Sequence, residues 1–104
     1  MAYNKYGNRH TWNETCQRTF DSHAESKRAT ELFLAEKCGE VSELEYQVPV
    51  ILSKNPRVKI IVDFKYIEKG QVVYEEVKGM MTPAARVKLA WLKDKYKIDV
   101  KITK

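Results

Sequence analysis

Residues 60–79 read IIVDFKYIEKGQVVYEEVKG, and this stretch decides the fold. Two runs rich in β-branched and aromatic residues stand on either side of a short polar segment, a pattern that is typical of a β-hairpin. A two-residue loop at Lys69-Gly70 places Asp63 opposite Glu76 on the paired strand. Opposed residues share one face of a sheet, so the hairpin brings two carboxylates together.

The same register also builds a hydrophobic face on the other side of the hairpin. Its predicted core residues are Ile60, Val62, Phe64, Tyr66, Val73 and Val77. A three-residue loop would shift the pairing by one, move Glu76 across the sheet and scramble this apolar face. Lys78 lies two residues beyond Glu76 and therefore on the same face. The register that makes a core thus also predicts an Asp63–Glu76–Lys78 cluster.

Such a cluster suits phosphodiester hydrolysis. Two carboxylates about 5 Å apart on neighbouring strands repel each other, and a divalent cation offsets that repulsion. Mg²⁺ binds through one or two carboxylates and completes its shell with water and substrate phosphate. A lysine nearby can act on the attacking water or stabilise charge on the phosphate oxygens. The alternative is a solvated sheet face on which Lys78 merely pairs with a carboxylate.

Short segments spread over most of the chain match a known family: Asn4-Lys5-Tyr6-Gly7, Phe20-Asp21-Ser22 with Glu25, Glu31-Leu32, Gly39-Glu40-Val41, Leu44-Glu45-Tyr46-Gln47, Asp63, Glu76-Val77-Lys78-Gly79 and Thr82-Pro83. In these segments the chain resembles small, mostly phage-encoded members of the PD-(D/E)XK nuclease superfamily, related to Holliday-junction resolvases. Val62 stands where that superfamily has the proline of its name, a variable position that carries no ligand.

The resemblance implies an α/β (α+β) chain with a restriction-endonuclease-like core, in which two helices flank a mixed sheet in the order α-β-β-β-α-β. Helical periodicity, caps and strand alternation predict the same order, with helices over about 22–38 and 82–95 and strands over about 43–52 and 97–102 besides the hairpin. At 104 residues the chain is expected to be a single domain, 1–104, with 1–19 as an N-terminal arm.

Glu25 has two interpretations. Ser22-His23-Ala24-Glu25 is a capping-box pattern, in which the glutamate would bond back to the helix start. Glu25 also lies at helical spacing from Ala29 and Leu32, so it points toward the sheet. The resemblance favours the second role, because the first-helix acid of that family falls here and would join Asp63 and Glu76 as a metal ligand.

Positive charge gathers at the C-terminal end of the chain. Residues 1–77 contain 11 Lys and Arg against 12 Asp and Glu, whereas residues 78–104 contain 8 against 2. A basic segment beside acidic metal ligands would draw in a phosphate backbone that the carboxylates repel. Arg86 and Lys88 are the candidate phosphate contacts on the second helix, unless they form only a solvated face.

Three further residues are candidates for contact with nucleic acid. Lys5 and Arg9 stand in an arm that also contains aromatic residues, and they could equally belong to a frayed end. Gln47, on the first long strand, either lines the site or is a solvated glutamine.

The function predicted from the sequence is a Mg²⁺-dependent DNA endonuclease, with Mn²⁺ as a substitute metal and junctions or other branched DNA as candidate substrates. Asp63, Glu76, Lys78 and Glu25 are the predicted catalytic residues. The alternative is a non-catalytic nucleic-acid-binding or host-interaction protein on the same fold. DNA is the expected partner, and a homodimer would let so small a nuclease cut two strands symmetrically.

The expected location is the cytoplasm, which is that of the host cell if the chain is phage-encoded. No run of 18 or more apolar residues exists, so no membrane partner is expected. Cys16 and Cys38 lack the spacing of a redox or zinc motif and are expected to be free thiols.

Overall fold

The computed structural model of the chain describes residues 10–78 and 80–104. The elements of this part are β1 Thr11–Asn13, β2 Arg18–Phe20, α1 His23–Lys37, β3 Val41–Lys54, β4 Arg57–Glu68, β5 Gln71–Val77, α2 Pro83–Tyr96 and β6 Lys101–Thr103. A four-stranded sheet of order β3-β4-β5-β6 is mixed, because β3, β4 and β5 are antiparallel while β6 runs parallel to β5. The predicted α+β class with a mixed sheet and two helices is confirmed.

The β4–β5 hairpin has the register that the sequence predicts. Pairing runs from Glu68 opposite Gln71 at the turn to Phe64 opposite Glu75. The loop consists of Lys69 and Gly70, both with positive φ (52° and 76°), which is the backbone of a type I′ turn and suits the twist of a hairpin. Alternate residues of β4, namely Ile60, Val62, Phe64 and Tyr66, are buried as expected.

Among the described strands, β3 is a long edge strand whose one partner is β4. Pro49 lies in this strand and is exposed, which an edge position permits because the opposite side of β3 has no ladder to complete. Tyr46 lies opposite Phe64 and Val48 lies opposite Val62. Gln47 therefore sits beside Asp63, in the row that continues across the sheet to Glu76.

Helix α1 begins where the capping residues predict. Ser22 is the N-cap, and its hydroxyl accepts a hydrogen bond from the Glu25 N–H at 3.1 Å. Ala29 and Leu32 are fully buried and pack in one cluster with Phe64 and Tyr66 of β4. This packing holds the first turn of α1 over the end of the hairpin where the acidic residues lie.

Helix α2 covers the other half of the core. Thr82 caps it and Pro83 occupies its first turn, as predicted. Leu92 is buried and packs with Leu52, Ile60 and Val62. β4 contributes buried side chains to both clusters, so α1 and α2 each pack against part of its length.

The last strand is shorter than predicted. Lys97 ends α2 in a left-handed conformation (φ 59°), so it cannot start an extended strand. β6 begins at Lys101 and pairs with Glu75, Glu76 and Val77 only. The prediction of a strand over 97–102 was therefore wrong for residues 97–100, where alternating polarity reflects packing of Ile98 and Val100 without strand pairing.

The second half of the predicted arm forms a hairpin. β1 and β2 pair antiparallel in a separate two-stranded sheet, and Phe20 is buried in the core with α1. Asn13 is also buried, and its side-chain amide donates to Ser26 and Thr30 of α1. This sheet is an addition to the predicted order α-β-β-β-α-β.

Two further features concern the cysteines and the length of the helices. Cys16 and Cys38 are free thiols, as expected. Neither helix in residues 10–78 and 80–104 is long and apolar enough to cross a membrane.

Candidate active site

Asp63 and Glu76 face each other where the β4–β5 ladder ends. Beyond the Phe64–Glu75 pair, side chains take over the backbone hydrogen bonds of the two strands. The Asp63 N–H donates to Glu76 Oε1 at 3.3 Å, and the Val77 N–H donates to Asp63 Oδ2 at 2.9 Å. These reciprocal bonds hold each carboxylate against the opposite strand, so both side chains are positioned without a metal.

Glu25 brings a third carboxyl group to this point from the first turn of α1. Its side chain is only 4% exposed. Gln47 Nε2 donates to Glu25 Oε2 at 2.6 Å, which directs the carboxylate toward the sheet. The Glu25 carboxyl group also accepts a hydrogen bond from the backbone N–H of Asp21, one residue before the Ser22 N-cap, so it contacts the start of α1 as well as the sheet.

Burial is the largest cause that raises the pKa of each of the three carboxyl groups. Burial, followed by the charges of Asp63 and Asp21, raises the pKa of Glu25 to about 7. Burial likewise raises the pKa of Asp63. Burial and then the Asp63 charge raise the pKa of Glu76, although the Lys78 ammonium opposes them. Ionising all three groups of the cluster together is therefore costly.

Lys78 supplies one positive charge to the cluster. Its ammonium lies 3.7 Å from Glu76 Oε2, and its side chain is 36% exposed, so it reaches both the carboxylate and solvent. The Lys78 N–H donates to the Thr103 carbonyl at 2.9 Å. This bond to β6 fixes the backbone just past β5 and with it the origin of the Lys78 side chain.

Gln47 has a positioning role that sequence reasoning left open. It is half-buried and has a positive φ of 53° inside β3, a conformation that is uncommon for residues other than glycine. Such backbone strain persists where surrounding contacts hold it and is frequent at functional sites. The bond to Glu25 is the contact that Gln47 makes here, so its placement next to the acids is a feature of the tertiary fold.

Glu75, next to Glu76, is a buried acid that sequence reasoning missed. It is fully buried and accepts hydrogen bonds from Arg28 (2.6 and 3.1 Å), Tyr66 (2.5 Å) and Thr103 (2.9 Å). Burial alone would raise the pKa of Glu75, but these bonds outweigh burial and keep it below the ordinary value. Glu75 lies between Val73 and Val77 on the predicted core face, which is the signal that could have identified it.

The two basic candidates of α2 differ in position. A cleft with a volume of about 420 Å³ opens between β4, the end of β5 and the start of α2. Glu76 and Lys78 line it. Lys88 also lines this cleft, whereas Arg86 is exposed and does not. The other two basic candidates, Lys5 and Arg9, lie outside the described residues.

The donor set of the cluster fits a hard divalent cation. In residues 10–78 and 80–104, no group of three or more His, Cys, Asp or Glu side chains is arranged to hold a metal ion. Mg²⁺ does not require such a group, since one or two carboxylates with water and phosphate complete its shell. Asp63 and Glu76 are the pair that could hold it, with Glu25 beside them.

The sequence matches a family described as Protein of unknown function (DUF1064) over residues 3–104, and the chain belongs to that family. No curated protein and no solved structure matches the chain. Family membership brings no activity with it, so the chemistry of the cluster follows from its own side chains.

Proposed function

We propose that this member of the DUF1064 family is a metal-dependent DNA endonuclease that hydrolyses phosphodiester bonds, with Asp63, Glu76, Lys78 and Glu25 as its catalytic residues. The observation that carries the proposal is that Asp63 of β4 and Glu76 of β5 face each other beside the Lys78 ammonium, with Glu25 of α1 next to them. Each of the three acids has a raised pKa, which marks a site where charge is concentrated at a cost.

The element order supports the proposed fold. From α1 onward the chain runs helix, three strands, helix, strand, with the acids at the open end of the central hairpin. That is the order expected of a restriction-endonuclease-like core. The β1–β2 hairpin would then be an addition at the N-terminal side.

Asp63 and Glu76 would hold Mg²⁺, or Mn²⁺ in its place, with Glu25 in support. When bound, the cation neutralises charge on the phosphate and lowers the pKa of water to make a nucleophile at neutral pH. The carboxylates lose their mutual repulsion on binding it. Gln47 keeps the Glu25 carboxylate turned toward the cluster through their 2.6 Å hydrogen bond.

Lys78 would act on the reacting groups. Its ammonium is 3.7 Å from Glu76 and partly open to the cleft, so it can approach a phosphate bound there. It either orients the attacking water or stabilises the negative charge that develops on the phosphate oxygens. The proposed setting is the cytoplasm, which is that of the host if the chain is phage-encoded.

The test is cleavage of labelled four-way junction, flap, duplex and single-stranded DNAs with Mg²⁺, with Mn²⁺ and with chelator. We expect cleavage of at least one of these DNAs that depends on the metal and is abolished in Asp63→Asn. Asp99→Asn is the matched control, because Asp99 is 80% exposed and pairs with Lys93 away from the cluster.

Equal cleavage by the wild type and Asp63→Asn would mean that another nuclease contaminates the preparation or that Asp63 has no role. If the wild type cuts none of these DNAs with either metal, the non-catalytic nucleic-acid-binding function becomes the better proposal.

A further inference from the structure

The cleft beside the acidic cluster combines positive charge with an apolar wall. Three lysines line the cleft: Lys59 of β4, Lys78 just after β5, and Lys88 of α2. Ile61 and Leu89 form part of its apolar wall. The volume of the cleft, about 420 Å³, lies within the range of sites that enclose small organic ligands. Phosphate contacts alone need no apolar wall, so the cleft suits a ligand with both an anionic and a flat apolar part.

Two of the three lysines have no acidic partner. Lys78 is paired with Glu76, but within residues 10–78 and 80–104 the side chains of Lys59 and Lys88 form no ion pair or hydrogen bond. An ammonium that has no carboxylate beside it is available to an anionic ligand. Since the two lysines come from β4 and α2, they approach the cleft from two sides.

Ile61 is an unusual neighbour for these charges. It is a large apolar residue that is 44% exposed, on a strand whose even-numbered neighbours are buried. Lys59, Ile61 and Asp63 alternate with those buried residues, so they share one side of β4. At the rise of a strand, Lys59 is about 13 Å from Asp63, and Ile61 lies midway between them.

We propose that this cleft binds one unpaired nucleotide of a DNA strand, with its phosphate on Lys59 and Lys88 and its base against Ile61 and Leu89. The strand would continue from there toward Asp63 and Glu76. Apolar side chains commonly pack against a base that has left its stack, and only an unpaired base can reach such a wall. The inference rests on the proposed function only in naming the neighbouring cluster as the site of cleavage.

The substrate class follows from this geometry. A continuous duplex keeps its bases stacked inside and presents only phosphates to the cleft. A flap, a junction with unpaired bases or a free single strand presents a base as well. The cleft therefore favours DNA that has an unpaired segment.

The test is fluorescence anisotropy in chelator, where cleavage does not interfere, with one labelled oligonucleotide used as a single strand and as a blunt duplex. We expect the wild type to bind the single strand more tightly. Ile61→Ala should weaken single-strand binding roughly tenfold, the loss expected from removing about two buried methylene groups, and leave duplex binding unchanged. Val72→Ala, at an exposed position near the hairpin turn, is the matched control.

The lysines have a separate readout. Replacing Lys59 and Lys88 together with alanine should reduce the log–log salt slope for the single strand by about 1.4, which is about 0.7 for each phosphate contact. Lys93→Ala is the charge control, because Lys93 is on α2 but pairs with Asp99. A loss of salt slope in Lys93→Ala as large as that for one cleft lysine would overturn the assignment.

Binding and cleavage fail in distinguishable ways. Equal affinity for duplex and single strand, or an Ile61→Ala variant that binds like the wild type, overturns the nucleotide cleft even if the protein cuts DNA. Single-strand binding that depends on Ile61, Lys59 and Lys88 supports the cleft even if no DNA is cut. Tighter binding of single-stranded RNA of the same sequence would overturn DNA as its ligand.

Discussion

Two neighbouring glutamates, Glu75 and Glu76, are expected to respond in opposite ways to the same substitution. Glu75 is fully buried with both carboxylate oxygens bonded, and its partner Arg28 has a side chain that is 24% exposed. Glu75→Gln removes the buried counter-charge of this guanidinium and leaves it only Glu31, a carboxylate that is 52% exposed. Removing one partner of a buried pair typically costs about 3–5 kcal/mol.

That cost is a large part of the total stability. A domain of this size is typically stable by about 5–15 kcal/mol, so Glu75→Gln should lose a third or more of it in many cases. At about 4 °C for each kcal/mol, Tm should fall by about 12 °C or more. Glu76→Gln instead removes a charge that faces Asp63, so without metal we expect unchanged stability or a gain of up to about 1 kcal/mol.

The assay is urea and thermal unfolding of both variants in chelator at neutral pH, followed by circular dichroism. Glu68→Gln, in the exposed end of the same hairpin, controls for loss of a negative charge on the surface. If Glu76→Gln were the more destabilised variant, Glu76 would be the structural acid. The separation of the two glutamates into a structural and a functional one would then be wrong.

Three further predictions concern the cluster and the cleft. Lys78→Ala should keep DNA affinity within a few fold while cleavage falls at least about a hundredfold, and weaker binding with an unchanged rate for bound DNA would show that Lys78 only holds phosphate. The fold favours neutral Glu25, whose pKa rises from 4.5 to about 7, so its stabilising contribution is complete below about pH 4.5 and is lost as pH rises to about 7. Without metal, the wild type should lose roughly 1–2 kcal/mol over this range, allowing for solvent screening, and Glu25→Gln should lose less; parallel urea midpoints against pH would contradict this. Lys88→Ala should lower the salt slope of DNA binding more than Arg86→Ala, because only Lys88 lines the cleft, and equal effects would mean that the whole face of α2 tracks phosphates.

Local sequence determines much of this protein. The Lys69-Gly70 turn and the alternation of β4 set the hairpin register, because a shift by one residue would expose the core. Ser22 and Thr82 start the two helices, since their hydroxyls accept the hydrogen bonds of otherwise unpaired N–H groups. The register alone brings Asp63 and Glu76 together, and helical periodicity turns Glu25 inward.

Only the tertiary structure decides the roles of several other residues. Glu75 and Glu76 are neighbouring residues of the same type, and the sequence does not assign them different roles. Their roles differ because Arg28, Tyr66 and Thr103 form hydrogen bonds to Glu75. Their bonding groups come from parts of the chain that no local pattern connects.

The conformation of Gln47 and the pairing of β1, β2 and β6 also depend on tertiary contacts. Gln47 reaches Glu25 because β3 and α1 pack against the same hairpin, with a backbone conformation that propensity disfavours. The pairing of β1 with β2 and the start of β6 at Lys101 also depend on which strands lie beside them in the folded protein. Periodicity and capping act within a few residues, whereas burial and ion pairing depend on elements that meet only after the chain has folded.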